Sequence, residues 1–128
     1  MTTVYRSRAQ DALVARTEIA NYLVHATLLA RLRTRTRPGP RALAELRRCL
    51  RAELAWRVRG ALPTHTARLA WRHCRTFAAR VVADPQASAT ERTEAQRRLQ
   101  ALARWLRLRG LRPDDPAQPE LVRERLLR

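Results

Sequence analysis

The chain has 128 residues, 45% of them hydrophobic, and carries 27 basic residues, all arginine, against 11 acids, for a net charge of +16. That length makes one ordinary domain able to fold without disulfides or a structural metal. It excludes a strand-rich fold, because Ile and Phe occur once and Tyr twice, and the charge points to a polyanionic partner.

The first expected helix runs from about Ser7 to Arg33, with Ile19, Ala20, Leu23, Thr27 and Ala30 on one side. Tyr22, Ala26 and Leu29 lie on another side, so this helix is either central in a bundle or uses a second apolar face against a partner chain. Its most apolar stretch, Ile19 to Leu32, is interrupted by Asn21, His25, Thr27 and Arg31 and is too short to cross a bilayer. Residues 33 to 40, Arg-Thr-Arg-Thr-Arg-Pro-Gly-Pro, are expected to form an extended or turning connection.

A second helix is expected from about Arg41 to Arg59, stopped by Gly60 at the position that favours glycine. On a helical wheel Leu43, Leu46, Leu50, Leu54 and Val58 form its expected buried stripe, with Arg41, Arg48 and Arg59 pointing the opposite way. Thr64 or Thr66 caps a third helix that runs to about Ala83. Its core arc is Ala67, Ala70, Trp71, Cys74, Phe77, Ala78 and Val81, flanked by Arg68, Arg72 and Arg75. Ser88 and Glu91 form the capping-box signature of a fourth helix that ends at Arg109 before Gly110, with Ala95, Leu99, Leu102 and Leu106 as its stripe. Beyond Leu111 the chain reads as a Pro-rich linker followed by a short helix from Pro119. The expected architecture is an all-α, up-and-down four-helix bundle over residues 1–110, with residues 111–128 forming the linker and short C-terminal helix.

The charge is unevenly placed. Between Arg31 and Arg80 fourteen arginines face only Glu45 and Glu53, while the other segments are close to balanced. Codon preference can exchange lysine for arginine but does not suppress acids, so the segregation needs a physical reading. Planar guanidinium groups projecting from one side suit bidentate contact with phosphate oxygens. The expected contacts are Arg31, Arg33, Arg35, Arg37 and Arg41 around the connection, Arg48 and Arg59 on the second helix, and Arg68, Arg72 and Arg75 on the third. The alternating run from Arg31 to Arg37 also reads as a solvated, self-repelling loop.

The functional expectation is a non-enzymatic, arginine-rich protein that binds RNA or DNA through phosphates, as a small subunit of a nucleoprotein complex. Phosphate contacts carry no base information, so the polymer is not readable. The alternative is an adaptor that docks on an acidic protein or a second copy through the first helix and the C-terminal helix. A helix-turn-helix reading of the segment around Gly60 to Pro63 meets a proline in the turn and an overlong first helix. Trp56 and Trp105 lie off their leucine stripes and either fill helix seams or face a base or a partner.

No cofactor or metal is expected. Cys49, His65, His73 and Cys74 are zinc-ligand types at spacings of no standard site, and Asp114 with Asp115 sits between prolines, a poor platform for acid–base chemistry. The two cysteines belong to no paired framework and the N-terminus has no apolar signal core, so a cytoplasmic protein off the membrane is expected.

Overall fold

The structure, a computed structural model, describes residues 8–112 and 121–123. Four helices account for nearly all of it: α1 (Arg8–Thr36), α2 (Pro40–Arg59), α3 (Thr64–Ala83) and α4 (Ala89–Leu108). Two short strands, β1 (Ala61–Pro63) and β2 (Leu121–Arg123), pair antiparallel with Leu62 opposite Val122. The protein is an all-α bundle with a small strand clasp. The expected C-terminal helix meets this clasp: Leu121–Arg123 run as strand β2, because β1 offers them backbone partners, and the rest of that segment, with Asp114 and Asp115, lies outside the described residues.

Local chemistry sets the boundaries. The residue before a proline is pushed away from helical geometry, so α1 stops at Thr36, just ahead of Arg37-Pro38. Pro40 opens α2, where its missing N–H costs nothing. Gly60 closes α2 in the left-handed region at φ 58°, with its N–H bonded back to α2 carbonyls. Ser88 and Glu91 form a reciprocal capping box on α4, each accepting from the other's backbone N–H.

The long α1 is the central element, packed against α2, α3 and α4. It runs antiparallel to α2, with Arg33 beside Glu45 and Thr27 beside Glu53, and antiparallel to α4, with Asp11 beside Arg104 and Glu18 beside Arg98. The core gathers Ala15, Ile19 and Leu23 of α1 around Trp71 and Cys74 of α3 and Leu102, Trp105 and Leu106 of α4, with Ala52, Leu62 and Leu111 closing its edges. Trp56 meets Trp105 edge to face at 5.7 Å between ring centres, so both fill the seam between helices. Arg109 stacks over the Trp105 ring at 3.9 Å.

Two expected core assignments fail. On α2 the leucine stripe is exposed, at 44% for Leu43, 40% for Leu50, 63% for Leu54 and 71% for Val58, with Leu46 half-buried. The helix instead turns Ala52 and Cys49 toward α1 and Trp56 toward Trp105 of α4, because the small Ala52 and Cys49 let α1 and α2 approach closely and Glu45 and Glu53 find partners on α1. On α3 Phe77 is half-exposed, at the edge of an arc otherwise buried through Ala67, Ala70, Trp71, Cys74 and Ala78.

Candidate nucleic-acid interface

α1 runs to Thr36, almost a turn past its expected end at Arg33, which changes what the arginine run presents. Residues two apart on a helix point about 200° apart, so the run splits into two sides. Arg31 and Arg35 share one side at i,i+4 spacing. Arg33 faces α2 and forms an ion pair with Glu45. The side-chain hydroxyls of Thr34 and Thr36 donate back to the carbonyls of Arg31 and Leu32 at 2.7 and 3.1 Å, as Ser and Thr do within helices. The Arg37 N–H donates to the Arg33 carbonyl at 2.8 Å, and only residues 37–39 separate α1 from α2.

The α1–α2 end of the bundle therefore carries Arg31, Arg35, Arg37 and Arg41, all exposed and without an ion pair among the described residues. Both acids of the basic stretch are committed elsewhere. Glu45 holds Arg33, and Glu53 accepts from Thr27 Oγ1 at 3.2 Å and pairs with Arg57 at 3.0 Å. The first turn of α2 contains no acid, and its N-cap Gly39 supplies no side-chain bond. Arg41 thus stands in the first turn of α2, beside the positive end of that helix's dipole, while Arg33 and Arg35 stand in the last turn of α1, at its negative end.

The remaining expected contacts separate into two places. Arg48 and Arg59 continue along α2 and line a groove of about 840 Å³ between that helix and the start of α3. Arg51, one turn beyond Arg48, lines the same groove. Sequence reasoning missed it, although its helical spacing from Arg48 was the available signal. The α3 arginines are not among the residues that line this groove. α3 packs on α1 and α4 and meets α2 near its start, around His65, Thr66 and Leu69. Arg68 and Arg75 already have interaction partners, and Arg72 is exposed beside His73 and Phe77.

The candidate ligand set for zinc is dispersed. His73 lies against the rings of Tyr22 and His25 at 5.6 and 5.5 Å, and Cys74 donates toward Glu18 Oε2 at 4.0 Å from the buried side of α3. Burial, reinforced by the Glu18 carboxylate, pushes the Cys74 thiol up to about 12. Burial also raises Cys49 and the Tyr22 hydroxyl, with Glu45 adding to both. Among the described residues no three metal-ligand side chains converge, and no helix is long and apolar enough to cross a membrane. Compared with known proteins, the chain matches no family model, no curated protein and no solved structure.

Proposed function

We propose that this protein is a non-catalytic nucleic-acid-binding protein that contacts the phosphate backbone of RNA or DNA through the α1–α2 end of its bundle. The observation that carries this reading is the set Arg31, Arg35, Arg37 and Arg41, exposed and without an ion pair among the described residues while both acids of the basic stretch are engaged by other groups. Arg31 and Arg35 stand at i,i+4 and repel by a few tenths of a kcal/mol, and an anion beside them relieves that repulsion. A phosphodiester chain supplies closely spaced anions, and a guanidinium fork donates to two of their oxygens at a time. The two free thiols, Cys49 and Cys74, suit a reducing cytoplasm.

Binding of nuclease-treated protein to labelled single- and double-stranded DNA and RNA across a salt series tests the reading. Four phosphates neutralised on a duplex correspond to a log–log salt slope of about −3.6. The quadruple variant Arg31→Glu, Arg35→Glu, Arg37→Glu, Arg41→Glu is expected to lose that part of the slope equally on every sequence while its circular dichroism stays helical. Arg33 is left alone, since its reversal would set two carboxylates against each other at Glu45. Unchanged affinity in the variant would refute the surface assignment.

A further inference from the structure

The exposed leucine stripe of α2 and the groove beside it are not used by a phosphate-binding hairpin end. Leu54 and Val58, the two most exposed members of the stripe, form part of the groove wall, and Pro63 stands on the side of β1. Alanines 44, 52 and 55 make its floor low, so another helix can lie close. Arg48, Arg51 and Arg59 border it and form no ion pair among the described residues. From Ala44 to Arg59 the groove follows α2 for about 22 Å, the length of about four helical turns.

The geometry points to this groove as the docking site for an acidic amphipathic helix of another protein, which lays an apolar stripe on Leu54, Val58 and the alanine floor and sets its flanking carboxylates against Arg48, Arg51 and Arg59. A phosphodiester chain would satisfy the arginines and leave the apolar floor uncovered, so the groove selects a polypeptide with both features. A second copy of this chain satisfies the floor and fails at the rim. A two-fold contact sets a surface against itself, and here it would bring the same unpaired arginines together on molecules of net charge +16. The inference stands apart from the nucleic-acid reading, because it uses a different surface and different side chains.

The probe is a fluorescent peptide of about 20 residues, long enough for about five helical turns, with leucines at i, i+3, i+4 and i+7 and glutamates on both flanks. Its control is a scrambled peptide of the same composition. Binding of the patterned peptide at least about tenfold tighter than the scrambled one is expected, and Leu54→Asp with Val58→Asp should weaken it by at least about tenfold. Both positions are exposed, so this variant keeps its fold, as its melting curve will show. Arg51→Glu with Arg59→Glu should reverse the preference toward a peptide with lysine flanks. The hairpin variant described above should still bind the peptide, and the Leu54, Val58 variant should still bind nucleic acid, so either reading can fail alone. Equal binding of both peptides, or no effect of the aspartates, would overturn the inference. So would a dimer in sedimentation equilibrium that the aspartates convert to monomer, which would make the occupant a second copy, or a loss of nucleic-acid binding in that variant.

Discussion

Arg33 and Arg35 are two residues apart, yet one is spent inside the protein and the other stands free. The difference is one of helical phase: continued helix to Thr36 turns Arg33 onto Glu45 and Arg35 away from it. Sequence reading expected a loop there, because it gave the Pro-Gly-Pro cluster a reach of several residues, while a proline constrains only its immediate predecessor. Cys74 shows the opposite case, where wheel position predicted burial correctly and the structure adds a chemical consequence. With the folded thiol at about 12 and the unfolded one at 9.0, the folded state keeps its proton after the unfolded state has lost it. The resulting stability is intact below pH 9 and lost between pH 9 and 12, on the order of 1 kcal/mol by pH 10. Denaturant melts of the wild type and Cys74→Ala at pH 7 and pH 10 check this, since the variant should lose less stability over that interval.

Among the elements, α4 and most of α3 were legible because each has one apolar arc, and the bundle buries that arc. The α4 stripe Ala95, Leu99, Leu102 and Leu106 enters the core as expected. α2 was legible only in part. Periodicity identifies which residues share a face, and it carries no information about which face meets a neighbour. α2 has two candidate faces, and the one holding Ala52, Cys49 and Trp56 packs because it matches α1 in shape and in charge. Two substitutions test the choice. Ala52→Leu should cost about 1–3 kcal/mol by overfilling a site that is 4% exposed, whereas Leu54→Ala should fall within about 0.5 kcal/mol of wild type in the same denaturant melt. The reverse order would restore the leucine stripe to the core.

At the scale of the whole molecule, charge is sorted along the bundle. The lower half of α1 pairs its acids with α4, Asp11 accepting from Arg104 Nε and Nη2 at 2.8 and 3.0 Å and Glu18 lying near Arg98. Asp11 also raises Arg104 further above the usual arginine value through that hydrogen bond. At the α1–α2 end Glu45 pairs with Arg33, and Arg31, Arg35, Arg37 and Arg41 form no ion pair among the described residues. Composition made the surplus visible and the run of arginines located it, but the sharing of Arg41, Arg48 and Arg59 with α3 depended on a helix adjacency that the sequence does not encode locally. Self-repulsion at the α1–α2 end should make the protein more heat-stable as salt screens it. Melting temperature is expected to rise between 10 and 150 mM sodium chloride, and a fall would mean that the α1–α4 ion pairs outweigh the repulsion.

The strand clasp has a consequence for the order of events in the chain. β1 and β2 pair residues about 60 positions apart, and everything between them, α3 and α4 included, must already be gathered before they can meet. Three residues on each side hold it, so it closes last and opens first. Pro63 belongs to both the clasp and the groove. Opening of the clasp should therefore loosen that side of the groove without disturbing the arginine end, which depends on the local α1–α2 hairpin.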